Sequence, residues 1–238
     1  MAADEKTIYE DITDHFFVGK KYDMNDVIDV QPNYRASILG ENKDFIYLGV
    51  KKTKNILEDS PPLHRSELGQ LAVKHELKFH ISIPEDDEAL HKRAIDVLIP
   101  VLMKHHVNFK FLKKGLKMTD VEGEEQQAGR DITIYAKNSP DKELKDWTAL
   151  TTEITEFLVK NDIPPGYLVT GKGERKITGC NYVTYRYEKR TPRDDPIKSM
   201  VINIPCQKAP EQYIPRDKLK YDIMDKPEPN LSRGFGMK

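Results

Sequence analysis

The chain has 238 residues, with 38 Lys and Arg against 39 Asp and Glu, and it is 38% hydrophobic and 32% charged. This composition is typical of a globular protein, and a net charge of −1 gives no field that favours nucleic acid or an anionic membrane. Two cysteines are too few for a disulfide framework or a Cys-rich metal site, and no run approaches the roughly 18 apolar residues of a membrane span.

The first predicted elements alternate between strands and helices. DFIYLGV at 44–50 predicts a strand, and residues 66–77 predict a short helical or irregular lead-in to LKFHISI at 77–83. That second strand has strict apolar–polar alternation, which is typical of a strand with one buried face. Residues 85–106 follow with an acidic first turn and helical apolar spacing, in which Pro100 predicts a kink or an early end.

Further strands and one more helix follow in the second half. The predicted strands are VNFKFL at 107–112, DITIYA at 131–136, GYLVTG at 166–171, NYVTYRYE at 181–188 and SMVINIP at 199–205. A long charged loop at 113–130 separates the first two of these strands, and an amphipathic helix is predicted at about 143–160. The order strand, helix, strand between 77 and 112 predicts a crossover with adjacent or nearby parallel strands.

These elements predict a single α+β domain, a twisted mixed β-sheet flanked by helices. We expect the domain to span 31–207, after a polar segment at 1–30 and before a tail at 208–238 that is rich in proline and charge. The N-terminus lacks a basic start followed by an apolar core, which does not fit a general secretory signal peptide.

Cationic side chains fall on the polar faces of two predicted strands. Lys78 and His80 are two residues apart and point the same way, and Lys110 follows His80 by thirty residues. Such groups repel one another unless an anion binds among them, and Arg186 and Arg193 could add guanidinium groups that suit a phosphate. A lysine crowded by other cations has a lowered pKa and can abstract a proton, so a lysine base and a histidine acid are candidates for β-elimination of phosphate.

The segments LKFHISI, VNFKFL, DITIY and YRYEKRTPR together resemble the bacterial phosphothreonine lyases of the OspF/SpvC type. They also resemble the related lyase domains of class III and IV lanthipeptide synthetases. The shared features are a K-x-H-[IV]-S strand, a lysine thirty residues after the histidine, and a Y-R strand with a second arginine seven residues later. The resemblance covers about residues 70–195.

The resemblance implies a carbon–oxygen lyase that removes phosphate from phosphothreonine or phosphoserine without water. Lys110 would take the α-proton and His80 would protonate the leaving phosphate. Lys78, Arg186 and Arg193 would hold that phosphate.

Three further residues match the family less directly. Tyr135 corresponds to a tyrosine near the base lysine, and Glu174 lies where an acidic residue orients the histidine. Arg130 is the candidate for an arginine ahead of the T-I-Y strand, although its spacing differs. The resemblance implies no metal and no cofactor.

The expected partner is a phosphorylated protein or peptide, with a host kinase as one candidate, and the expected state is a monomer that binds no nucleic acid. Residues 1–30 lack the basic–apolar docking pattern of effectors that act on MAP kinases. A bacterial effector delivered into a host cell by a specialised system fits a lyase without attached kinase and cyclase domains. Other readings are a cytoplasmic lyase of a lanthipeptide-type pathway, an inactive phosphopeptide-binding module, and an RNA- or nucleotide-binding domain.

Overall fold

The computed structural model describes residues 45–49, 65–84, 87–112, 130–166 and 173–204, and the backbone alone of 27–31 and 34–41. The described strands are β1 (Val27–Gln31), β2 (Tyr34–Glu41), β3 (Phe45–Gly49), β4 (Leu77–Ile81), β5 (Phe109–Leu112), β6 (Ile132–Tyr135), β7 (Arg175–Lys176) and β8 (Val183–Tyr187). The helices are α1 (Glu67–His75), α2 (Glu88–Lys104) and α3 (Leu144–Lys160), and short 3-10 turns lie at Ala136–Asn138 and Pro196–Ser199.

The strands form one sheet in the order β1-β2-β3-β5-β6-β4-β8-β7. The predicted α+β class is confirmed. The pairing differs from the mixed pattern that we expected, because every ladder between described strands is antiparallel and parallel pairing is limited to one bridge between Thr178 and Val201. β4 and β5 are parallel to each other, as predicted, but β6 lies between them and pairs with both.

One face of the sheet is covered by helices and forms the core. Phe79 of β4 stacks on Trp147 of α3 with ring centroids 4.9 Å apart, and both side chains are almost fully buried. The apolar residues that alternate along β5 and β6, such as Phe109 and Ile134, share this face through the strand register. The polar side chains of the same strands therefore project from the opposite face.

The helix boundaries follow local capping chemistry. Ser66 begins α1 by accepting a hydrogen bond from Gly69 N at 2.8 Å, and Asp87 begins α2 by accepting from Leu90 N at 3.0 Å. The expected early end at Pro100 is not observed, because α2 continues through it to Lys104. α3 matches its prediction closely and begins with a reciprocal capping box between Glu143 and Asp146.

The structure differs from the sequence predictions near both ends of the described chain, and several predicted segments lie outside the described residues. The strand predicted at 199–205 is wrong over its described part, where Ser199 ends a 3-10 turn and Val201 forms only the isolated bridge. β1 begins at Val27, inside the segment at 1–30 that the sequence marks only as polar. Residues 1–26, most of the 113–130 loop, most of the strand predicted at 166–171, and the tail at 208–238 lie outside the described residues.

Gly69 lets α1 approach the chain segment before α3. A Cβ at this position would lie 1.7 Å from Pro140 O, and that carbonyl accepts a hydrogen bond from Ser66 N at 3.0 Å.

We predict that Gly69→Ala lowers the free energy of unfolding by about 1–3 kcal/mol, because the clash outweighs the ~1 kcal/mol that alanine gains in helix propensity. Urea unfolding measures the change, and the exposed Gln70→Ala is the control, expected within about 0.5 kcal/mol of wild type. A more stable Gly69→Ala protein would contradict the close approach.

Candidate active site

A row of polar side chains crosses the face of the sheet opposite to the one on which Phe79 and Trp147 pack. The register pairs Lys110 of β5 with Thr133 of β6, Thr133 with His80 of β4, and His80 with Thr184 of β8. Directly opposed residues on neighbouring strands share one face. Because strands are about 4.8 Å apart, the backbones of Lys110 and His80 lie roughly 10 Å from each other, with Thr133 between them.

A second row lies two residues along the strands. Here Lys78 of β4 is flanked by Tyr135 of β6 on one side and Arg186 of β8 on the other. The predicted convergence of Lys78, His80 and Lys110 over one sheet face is therefore what the register produces.

Glu174, the residue directly before β7, forms a hydrogen bond with His80. His80 Nδ1 lies 2.7 Å from Glu174 Oε1, and the same oxygen accepts a hydrogen bond of 2.6 Å from Thr184 Oγ1. The side chains of His80 and Glu174 are 3% and 0% exposed, and Arg130 Nη2 lies 3.1 Å from Glu174 Oε2. Because a carboxylate only accepts, Nδ1 of His80 carries the proton of this bond and Nε2, across the ring, is left to act on a ligand.

The surroundings of Glu174 and His80 determine the charge of each side chain. Burial raises the pKa of Glu174, but hydrogen bonds from His80 and Thr184 and the charge of Arg130 outweigh it, so the net pKa is lowered and the carboxyl stays ionised. Burial lowers the pKa of His80 and the Glu174 carboxylate opposes this, while Arg130 and Arg186 add to the lowering. The net pKa of His80 is below its ordinary value, so the imidazole is neutral at pH 7 in the empty site.

The segment that carries Glu174 is held in place by a buried carboxylate. Asp195 accepts hydrogen bonds from the hydroxyls of Tyr185 and Tyr187 at 2.9 and 2.8 Å, and from Arg175 Nη1 at 3.1 Å. These contacts tie β7, which follows directly after Glu174, to the adjacent strand β8. The position of Glu174 is therefore fixed both by the pairing of β7 with β8 and by the hydrogen bonds of Asp195.

Lys78 and Arg186 share the carboxylate of Glu188. Lys78 Nζ lies 2.8 Å from Glu188 Oε1, and Arg186 donates to the same oxygen through Nε at 2.8 Å and through Nη2. The two cations that we predicted as phosphate ligands are thus close enough to hold one anionic oxygen in common.

Aromatic rings lie next to the two lysines of the site, Lys110 and Lys78. Lys110 Nζ lies 3.5 Å from the centroid of the Phe45 ring, and Lys78 Nζ lies 5.4 Å from that of Tyr135. Tyr47 stacks on Tyr135 with ring centroids 6.4 Å apart. Burial, with Tyr47 and Glu188 adding to it, raises the pKa of Tyr135, so this phenol stays protonated and can donate a hydrogen bond.

Arg193 is the predicted site residue that the structure places elsewhere. It lines a groove between α1 and the loop after β8, together with Lys74 and Arg190. Arg130 is buried beside Glu174. Its contact with Glu174 indicates that it stabilises the charge of that carboxylate.

Three polar residues of the site were missed at the level of sequence. Thr133 lies between Lys110 and His80, Thr184 binds Glu174, and Glu188 binds Lys78 and Arg186. The alternation of Thr184, Arg186 and Glu188 along one strand is a signal that could have found two of them.

Within the described ranges, no three His, Cys, Asp or Glu residues are grouped so that they could hold a metal ion. No helix in the part of the chain that the structure describes is long and apolar enough to cross a membrane.

Comparisons with known proteins return phosphothreonine lyases. OspF from Shigella flexneri, described as a type III effector/phosphothreonine lyase, is 19% identical; the match covers 85% of this chain and 88% of that chain, with a TM-score of 0.49. The Salmonella phosphothreonine lyase effector SpvC is 15% identical over 81% of this chain and 94% of its own, with a TM-score of 0.42. The VirA (SpvC) phosphothreonine lyase effector of Chromobacterium violaceum is 14% identical over 82% and 95%, with a TM-score of 0.46.

No family model and no curated protein match the chain. The chain thus resembles solved structures that carry the family name suggested by its sequence motifs.

We predict that Glu174→Gln lowers the pKa of His80 further, because it removes the carboxylate that favours the imidazolium. The measurement is an NMR titration of the His80 ring. Glu153→Gln is the matched control, since Glu153 Oε2 lies 2.7 Å from His105 Nε2 in a separate His–Glu pair between α2 and α3. The control should leave the His80 titration unchanged, whereas an unchanged or raised His80 pKa in Glu174→Gln would contradict the electrostatic role of Glu174.

Proposed function

We propose that the chain is a phosphothreonine/phosphoserine lyase that removes phosphate from a phosphoprotein or phosphopeptide by β-elimination. The observation that carries this proposal is the shared row in which Lys110 and His80 flank Thr133, with Lys78 and Arg186 in the next row. A base, an acid and a pair of cations thus face one sheet surface within the reach of a single phosphorylated side chain.

The proposed reaction uses Lys110 as base and His80 as acid. The neutral amine of Lys110 takes the α-proton of the phosphorylated residue, and the electrons of that C–H bond form the Cα–Cβ double bond as the Cβ–O bond breaks. The leaving phosphate takes a proton from Nε2 of His80. The products are a dehydro residue, inorganic phosphate, a protonated Lys110 and a neutral His80.

The protonation state of His80 links binding to catalysis. In the empty site the pKa of His80 is lowered mainly by burial, so the acid form is disfavoured. A phosphate dianion next to Nε2 adds negative charge that favours the imidazolium, while Glu174 stabilises the proton on Nδ1. Substrate binding is therefore accompanied by proton uptake at His80.

The remaining predicted residues have supporting roles in this proposal. Lys78 and Arg186 bind the phosphate oxygens, and the Tyr135 hydroxyl donates into the same space. Glu174 orients His80, and Arg130 stabilises Glu174. For Arg193 the role of phosphate ligand stays a prediction, because its side chain lines the neighbouring groove.

The biological role that we propose is that of a bacterial effector acting, as a monomer, on a host phosphoprotein after delivery by a specialised system. The sequence resemblance supports this role, and a lyase of a lanthipeptide-type pathway would use the same chemistry. An inactive phosphopeptide-binding module would keep Lys78 and Arg186 but would not need Lys110 and His80 in one row.

The test is mass spectrometry of a phosphothreonine peptide library incubated with the purified protein in the presence of a chelator. β-Elimination removes about 98 Da per site, the mass of phosphoric acid, whereas hydrolysis removes about 80 Da. We expect the larger loss. The smaller loss would replace the lyase with a phosphatase, and an unchanged library together with measurable peptide binding would favour the inactive binding module.

We predict that Lys110→Ala reduces turnover by at least about a hundredfold, because it removes the general base, and changes the dissociation constant for a phosphopeptide by less than about threefold. Arg186→Ala should weaken phosphopeptide binding as well. Lys145→Ala is the control, since its side chain is 76% exposed on α3 and away from the site. Equal turnover by wild type and Lys110→Ala would exclude the mechanism.

A further inference from the structure

Glu188 occupies the position between the two cations of the proposed phosphate cradle. Its Oε1 atom accepts from Lys78 Nζ at 2.8 Å and from Arg186 Nε at 2.8 Å, with Arg186 Nη2 also in contact. The side chains of Lys78, Arg186 and Glu188 are 22%, 21% and 24% exposed, so the cluster lies at the surface, where a ligand can reach it. An ammonium and a guanidinium that converge on one anionic oxygen are the contacts that a phosphate oxygen would receive there.

Glu188 is held in its charged form. Burial raises the pKa of its carboxyl, but the hydrogen bonds and charges of Arg186 and Lys78 outweigh this and lower the pKa to about 2. At any ordinary working pH the cradle therefore contains two positive charges and one negative charge, and its net charge is +1.

We propose that Glu188 is a specificity-determining residue, an internal anion that fills the phosphate position of the empty site and that only a dianionic phosphate displaces effectively. The proposal rests on the proposed function, in that Lys78 and Arg186 are taken as the cradle of the substrate phosphate. It adds the charge state in which the phosphomonoester of the substrate binds, which is the dianion.

The charge balance gives the physical reason. Replacing the single charge of Glu188 by the double charge of a phosphomonoester increases the attraction to Lys78 and Arg186, whereas replacing it by another carboxylate gains nothing. Asp and Glu side chains of unphosphorylated proteins are the most abundant competing anions, and Glu188 excludes them by competition. Displacing Glu188 costs both ligands the same free energy, so a carboxylate, which binds more weakly, is left largely unbound while a phosphate dianion still occupies the site.

A purely structural role for Glu188 leads to the opposite expectation. If the carboxylate only held Lys78 and Arg186 in position, its removal would disorder the cradle and weaken anion binding. The sign of the change in affinity therefore separates the two roles.

The experiment is isothermal titration calorimetry of inorganic phosphate, and separately of acetate, into wild type and Glu188→Gln. We expect Glu188→Gln to bind phosphate about tenfold more tightly and to gain acetate binding, because the internal competitor is neutralised. Glu188→Ala should shift both affinities in the same direction, which keeps the test valid if one variant folds poorly.

Glu76→Gln is the matched control for a general change in surface charge. Glu76 precedes β4, and its carboxylate lies 3.0 Å from Lys189 Nζ rather than on Arg186. We expect less than about a twofold change in phosphate affinity for this variant. Weaker or unchanged phosphate binding by Glu188→Gln, or an equal gain in Glu76→Gln, would overturn the proposal.

Inorganic phosphate is not turned over, so this test is separate from that of the lyase. If Glu188→Gln binds phosphate more tightly but phosphopeptides do not lose about 98 Da, the role of Glu188 at the anion site is retained and β-elimination is excluded. The reverse result would keep the lyase and exclude the role of Glu188.

Discussion

The pairing of β6 between β5 and β4 is the constraint on which the site depends. Lys110 and His80 belong to strands separated along the chain by helix α2, and they lie in one row because Thr133 pairs with both. A slip of one residue in either ladder would turn Thr133 and Tyr135 towards the helices and place apolar side chains over the site. The core on the other face opposes such a slip, because Ile132 and Ile134 pack among buried rings there.

Beneath this surface, a charged network is buried at a cost. Glu174 and Arg130 are almost without solvent contact, and each would be strongly unfavourable alone. Their contact, together with the hydrogen bonds from His80 and Thr184, offsets the loss of hydration. What remains is an imidazole that is fixed in orientation before any ligand binds, which is the preorganisation that a proton donor needs.

Much of this arrangement could be predicted from the sequence. The alternation in LKFHISI and VNFKFL identified two strands and the face on which Lys78, His80 and Lys110 lie, since the period of two is a local property. The order of strands in the sheet is not local, so the insertion of β6 and the antiparallel ladders were not foreseen. β7 has only two residues and shows no pattern, and Glu174 could be placed only through the resemblance.

Glu188 illustrates a different limit of sequence reasoning. Its charge is opposite to that of the cations around it, so a search for a basic cluster passes over it. Arg193 is the reverse case, a basic residue with suitable spacing whose position depends on the path of the loop after β8. In both cases the outcome is determined by which side chains meet in space.

The brevity of β7 has a consequence for the sheet as a whole. Among the strands that the structure describes, β7 is the last of the sheet on one side, and its two residues, Arg175 and Lys176, are both cationic. A short edge that carries positive charge is a poor template for the backbone of another chain, so it discourages edge-to-edge aggregation. The segment that delivers Glu174 to the interior therefore also protects the sheet from being extended by a foreign strand.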